Sequence, residues 1–166
     1  MTSAPILVVM GVSGAGKTTV GERIAQRLGW AFVDGDDLHP EANIEKMRGG
    51  QPLTDADRAP WLAAIGAWID ARAPEPGVVA CSALKRAYRD ALRAGRPQVR
   101  IVYLRGSQAE IAARLARRAG HFWPAKLLAS QFADLEEPGP DENAIVADIA
   151  ETPEAVTDAV IAKLSR

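Results

Sequence analysis

The chain has 166 residues and a formal net charge of −1, with 48% apolar and 25% charged residues. That balance excludes a disordered chain and fits one domain over residues 1–166; the near-neutral total gives no reason to expect nucleic acid or a membrane surface as a partner. A single cysteine, Cys81, excludes an intramolecular disulfide and a thiolate metal cluster.

Ile6-Leu7-Val8-Val9-Met10 reads as a first strand, apolar throughout because a central parallel strand is buried on both faces. No basic leader precedes it and no apolar run approaches about 18 residues, so a cytoplasmic protein is expected. Gly11-Val12-Ser13-Gly14-Ala15-Gly16-Lys17-Thr18 follows, with Thr19 behind it, and then Val20, Ile24, Ala25 and Leu28 recur at helical spacing until Gly29. Ala31-Phe32-Val33 is a second short strand delivering Asp34 and Asp36 at its carboxyl end.

Pro40 opens a short helix through Met47, closed by Gly49-Gly50. Thr54-Asp55-Ala56-Asp57 has the form of a capping box before a helix whose Trp61, Ile65, Trp68 and Ile69 make one apolar stripe, read as core. Val78–Cys81 and Val99–Leu104 are the third and fourth strands; Ser107 and Glu110 cap the helix that carries Arg114, Arg117 and Arg118. Residues 118–128, with Gly120 and Pro124 around Phe122 and Trp123, read as a mobile lid. Ile145–Ile149 is the fifth strand, and Thr152-Pro153 starts the closing helix. Apolar runs alternating with helical patterns in this way specify an α/β fold with a parallel sheet.

Charge is distributed unevenly. Ten of the twenty Lys and Arg residues lie between Lys85 and Arg118, a segment expected to face an anion, whereas residues 134–154 carry acidic residues only and read as solvated surface.

A glycine-rich turn between a strand and a helix converges backbone N–H groups on one point, and the G-x-x-x-x-G-K-[ST] spacing adds a lysine for the β- and γ-phosphates and a hydroxyl for Mg²⁺. Gly11 to Thr18 match it in the strand-then-helix context it requires. ATP and Mg²⁺ are therefore the expected cofactors. No Asn-Lys-x-Asp element is present for a guanine, and the third strand ends in Cys81-Ser82 where many ATPases carry an aspartate. Asp34 and Asp36 are the replacements: carboxylates there can orient Mg²⁺ and accept a proton from an attacking hydroxyl. Arg114 and Arg118, four apart on one helix, can compensate charge on the moving phosphoryl group.

These stretches, with Asp34-Gly35-Asp36-Asp37-Leu38-His39-Pro40, Asn43-Ile44-Glu45-Lys46-Met47, Pro52-Leu53-Thr54-Asp55-Ala56-Asp57-Arg58, Cys81-Ser82-Ala83-Leu84-Lys85-Arg86, Tyr88-Arg89-Asp90, Gly120-His121-Phe122 and Ser130-Gln131-Phe132, resemble the bacterial-type gluconokinase family, within the shikimate kinase and nucleoside-monophosphate kinase group. The resemblance runs from about residue 6 to residue 153. It implies a three-layer α/β/α P-loop kinase with a five-stranded parallel sheet in the order 2-3-1-4-5, a lid and a homodimer. It also implies the reaction of ATP with D-gluconate to ADP and 6-phosphogluconate, feeding pentose phosphate or Entner–Doudoroff metabolism. By the same resemblance Lys17, Asp36 and Arg118 are catalytic, and Arg114 stacks on adenine.

Gluconate is a polyol with a carboxylate at one end and the reactive hydroxyl at the other, so its site needs a cation far from the terminal phosphate, a carboxylate near it and polar groups between. Asp36 is assigned to the 6-hydroxyl and Asp34 to the metal. Lys46, Arg58, Lys85 and Arg89 remain unranked for the substrate carboxylate, and His39 is either a hydroxyl contact or a turn cap. Shikimate or adenylylsulfate on the same scaffold is the alternative acceptor, although Leu38-His39-Pro40 stands where adenylylsulfate kinases carry an arginine. A non-catalytic nucleotide-dependent binding module is the alternative of another class, disfavoured by Asp36 and the lid arginines.

Overall fold

A computed structural model describes residues 4–117 and 125–164. Five parallel strands form one sheet in the order β2-β3-β1-β4-β5: β1 (Ile6–Met10), β2 (Ala31–Asp34), β3 (Gly77–Ala80), β4 (Val99–Arg105) and β5 (Ile145–Asp148). The expected order is therefore the observed one. β1 lies at the centre, and every one of its residues is at most 1% exposed, which explains its unbroken apolar run.

Successive side chains of a strand point to opposite faces, so β1 feeds two cores. Leu7 and Val9 meet α1 (Lys17–Leu28) and α7 (Pro153–Leu164) through Val20, Ile24, Val156 and Val160. Ile6, Val8 and Met10 meet α3 (Asp55–Arg72) through Trp61, Ile65 and Ile69, with Trp68 only partly buried beside them. Helices on both faces of a parallel sheet follow from this two-sided burial.

Both expected capping boxes form. Thr54 Oγ1 accepts from the Asp57 N–H at 3.1 Å while Asp57 accepts from the Thr54 N–H at 2.8 Å, opening α3. Ser107 and Glu110 exchange the same pair of bonds at 3.1 and 3.0 Å ahead of α5 (Gln108–Arg117). α2 (Glu41–Arg48) starts just after Pro40.

Two helices were not anticipated: α4 (Arg86–Arg93) and α6 (Ala125–Asp134). The buried face of α4 consists of Tyr88, Arg89 and Leu92, so its apolar period is broken by an arginine. α6 takes up the C-terminal end of the segment read as a lid, whose residues 118–124 lie outside the described residues.

The unevenness of charge also has a structural outcome that differs from expectation. Arg86, Arg89 and Arg93 pair with Asp141 and Glu142, so the basic and acidic segments partly neutralise each other. Among the described residues no helix is long and apolar enough to cross a membrane. Because all five strands are parallel, their carboxyl ends share one edge, and β1, β2 and β3 deliver the glycine loop, Asp34 and Cys81 there.

Candidate active site

The loop from Gly11 to Gly16 leaves β1 with its hydrophobic members held in the core: Val12 and Ala15 are buried. Gly14 and Gly16 have φ of +87° and +93°, a left-handed conformation, and a Cβ on Gly14 would come within 2.9 Å of Leu115. Gly16 caps α1 without any side-chain hydrogen bond, so the first amides of this helix are left to another acceptor. That is the donor set an oxyanion needs.

Lys17 Nζ donates to the Gly11 and Val12 carbonyls at 2.9 and 3.1 Å, holding its ammonium inside the loop. Burial pulls its pKa below the ordinary lysine value, and the carboxylates of Asp36 and Asp34 oppose that pull. Thr18 and Thr19 are exposed at the start of α1.

Thr18 Oγ1 donates to Asp34 Oδ2 at 2.9 Å across the edge of β3, which lies between β1 and β2. The other oxygen of Asp34 accepts from the Asp36 N–H at 2.9 Å and thereby caps a short 3-10 turn, Gly35–Leu38. The glycine between the two acids is required by space: a Cβ on Gly35 would lie 2.6 Å from the Ala80 carbonyl oxygen. The pKa of Asp36 is raised, first by the protein wall that takes solvent from it and then by the Asp34 charge, with Lys17 pulling the other way. Cys81, beside this group, is buried, and loss of solvent pushes its thiol up to about 12, leaving it a small neutral hydrophobe.

Beyond Asp36 comes His39, stacked on Trp61 with ring centroids 4.3 Å apart and planes 10° from parallel. Trp61 in turn donates from Nε1 to the Gly35 carbonyl at 2.7 Å, tying α3 to the acidic turn. His39 also closes the 3-10 turn with its backbone N–H, and its Nδ1 lies 3.2 Å from Asn43 Nδ2. Burial lowers the imidazole pKa, with the Asp36 charge opposing that pull and the Arg58 charge adding to it.

The four cations separate clearly. Lys46 donates to Asp57 at 2.6 Å, serving the capping box, and this bond is the main reason the Asp57 pKa falls to about 2. Arg58 donates to Tyr88 Oη at 3.1 Å; Tyr88 donates to Asp55, and Lys85 lies 3.8 Å from the same carboxylate. Arg58 and Lys85 thus share one half-open cluster with Asp55 and Tyr88. Arg89 does not belong there. Its side chain is fully buried, Nε and Nη2 donate to the two oxygens of Glu142 at 2.7 and 3.1 Å, and Nη1 donates to the Ala83 and Leu84 carbonyls at 2.9 and 3.2 Å. Four hydrogen bonds and a side chain with no exposed surface set Arg89 apart from the other three cations and give it a supporting place under Glu142, unlike the expectation from sequence.

On the other side of the loop, Gly16, Thr19, Arg114, Ile149 and Pro153 line a cavity of about 150 Å³. Arg114 donates to the Ile149 carbonyl, and its guanidinium is within 3.6 Å of where a Cβ on Gly16 would be. Arg118 lies outside the described residues. A larger groove of about 660 Å³ lies at the opposite edge of the sheet, against Pro5 and Val99. Its Arg93 and Arg96 are spent on Glu142 and Asp70. No role at the reacting end of the sheet follows for it.

The residues present fit Mg·ATP. Thr18 and Asp34 give two hard oxygen donors side by side, and Mg²⁺ is held by one or two protein oxygens plus phosphates. Sequence reasoning missed four residues: Tyr88 and Asp55, which organise the cations; Trp61, treated as core only; and Gln131, which reaches Ser13 from α6.

A family model described as an AAA domain matches residues 6–138. A gluconokinase of Gluconobacter oxydans is 54% identical over 157 residues, covering 93% of this chain and 88% of the relative. A thermosensitive gluconokinase of Escherichia coli is 48% identical over 162 residues, covering 93% and 87%. The crystal structure of a gluconokinase from Sinorhizobium meliloti superimposes with a TM-score of 0.92 at 47% identity, covering 100% of this chain and 94% of that one. With the glycine loop, the paired aspartates and likeness at this level along nearly the whole length, the chain belongs to the gluconokinase family.

Proposed function

We propose that this protein transfers the terminal phosphoryl group of ATP to the 6-hydroxyl of D-gluconate, giving ADP and 6-phospho-D-gluconate. The observation that carries the reading is the juxtaposition of Thr18, Asp34 and Asp36 at the mouth of the glycine loop, with His39 closing the turn that Asp34 caps.

Mg·ATP, when bound, supplies an activated phosphorus and a good leaving group. The loop amides and Lys17 hold its oxygens, Thr18 and Asp34 hold the metal, and Arg114 packs against the adenine end. Arg118 contacts the phosphates in this reading. Asp36 accepts the proton of the 6-hydroxyl as the new O–P bond forms and the bond to ADP breaks. A raised pKa suits that task, because a carboxylate of ordinary acidity is a weak base.

His39 addresses a hydroxyl in mid-chain. Arg58, aided by Lys85, takes the substrate carboxylate, since both gather at Tyr88 and Asp55 and neither is consumed by a buried acid. Lys46 is a weaker candidate because Asp57 occupies it. A homodimer and a place at the entry to pentose phosphate or Entner–Doudoroff metabolism complete the proposal.

The test is release of ADP with gluconate, shikimate, adenylylsulfate and nucleoside monophosphates offered in turn. Turnover with gluconate at least about a hundredfold above the others is expected, since a site built around buried polar groups rejects ligands that leave them unpaired. Preference for another acceptor would remove gluconate while keeping the phosphotransferase.

A further inference from the structure

α6 sends one polar side chain into the phosphate loop. Gln131 Oε1 accepts from the Ser13 N–H at 2.7 Å, and Gln131 Nε2 donates to Ser13 Oγ at 2.9 Å, joining residues 118 apart in sequence. The direction of both bonds is dictated by chemistry: a flipped amide would set its NH₂ against the Ser13 N–H, donor against donor. The Ser13 N–H is thereby satisfied from within the protein.

What remains available from Ser13 is its hydroxyl proton. A hydroxyl has one proton and two lone pairs, and the bond from Gln131 Nε2 occupies a lone pair. The proton therefore cannot be spent on Gln131, whose near atom is itself a donor, and is free for an acceptor in the loop. α6 is held firmly enough to impose this. Leu128 is buried and Phe132 packs on the core; just beyond the helix, Glu136 donates its N–H to the Leu84 carbonyl at 2.8 Å and accepts from the Arg86 N–H at 2.7 Å.

We propose that Gln131 is a positioning residue for phosphoryl transfer: it fixes Ser13 so that the Ser13 hydroxyl donates its proton to the terminal phosphate of ATP. This rests on the reading of the loop as the ATP phosphate site. Gln131 acts through Ser13 and touches no reacting atom. The same contact ties α6 to the loop.

The two bonds give Gln131→Glu a specific meaning. The acceptor for the Ser13 N–H is kept, but the Ser13 hydroxyl now meets a carboxylate oxygen and must turn its proton away from the phosphate. Turnover is expected to fall about 10- to 100-fold, the usual worth of a hydrogen bond to a charged group. Affinity for a non-hydrolysable ATP analogue, measured by calorimetry, is expected to weaken while that for ADP stays near wild type.

The decisive arm is a double-mutant cycle with Ser13→Ala. With no hydroxyl to turn, Gln131→Glu is expected to cost roughly fivefold less than in the wild-type background. Gln131→Met, which keeps the packing and removes both bonds, serves in the same cycle if the charged variant does not fold. Independent, multiplying losses, or equal weakening of ATP-analogue and ADP binding, would overturn the proposal and leave Gln131 a structural or purely electrostatic neighbour. Wild-type protein that binds no ATP would instead refute the reading on which it rests.

Discussion

Replacing Arg89 by methionine separates support from substrate binding. The guanidinium makes four hydrogen bonds, two to Glu142 and two to the Ala83 and Leu84 carbonyls, and both charged side chains are 0% exposed. Without it, the Glu142 carboxylate would stay in the interior with the Gly139 N–H at 2.9 Å and the more distant Arg93 at 3.7 Å. Removing one partner of a buried pair costs about 3–5 kcal/mol, which in a chain of this size lowers Tm by roughly 6–20 °C.

Removing both partners, as Arg89→Met with Glu142→Leu, should recover most of the loss because no charge is left stranded. The Glu142 carboxyl is held below the usual glutamate range, first by its bond to Arg89, so its contribution is full above the unfolded pKa of about 4.5 and fades as pH falls below it. Urea denaturation at pH 7 and pH 4 measures both effects. An Arg89→Met protein within about 1 kcal/mol of wild type, but with KM for gluconate raised tenfold, would show that the arginine is a ligand and refute the reasoning.

Lys17→Ala should abolish ADP release while leaving the circular dichroism spectrum and Tm near wild type, because its ammonium serves the loop and not a core. Asp36→Asn should lower kcat by about a hundredfold or more with little change in gluconate KM. In the wild type, kcat should fall on acidification through a pKa above the ordinary aspartate value of 3.8, since the base must be ionised, and that limb should vanish in the variant. Arg58→Met should raise gluconate KM about 10- to 100-fold, whereas Lys46→Met should act chiefly on stability; the reverse ranking in steady-state kinetics and melting curves would exchange their roles.

The parts of this fold that repeat a local pattern were legible. Ile6–Met10 could only be a central strand, and Thr54 with Asp57 and Ser107 with Glu110 announced helix starts because a cap bonds to a residue three positions away. The paired aspartates were legible because they stand at the carboxyl end of a short apolar strand, the end at which the glycine loop also lies.

What could not be read depends on distant partners. Arg89 looks like any basic residue near the substrate until Glu142, 53 positions later, is seen to hold it; its burial also hides the period of α4. Trp61 matches a core stripe on spacing alone, yet its N–H and ring face carry His39 and the acidic turn. Gln131 has no local signature, since its meaning lies in Ser13.

The most direct measurement is ³¹P NMR of purified protein incubated with ATP, Mg²⁺ and D-gluconate. The account predicts a phosphomonoester on the 6-carbon rising in step with ADP. Protein that binds ATP but leaves gluconate unphosphorylated, or places the phosphate on another carbon, would contradict it.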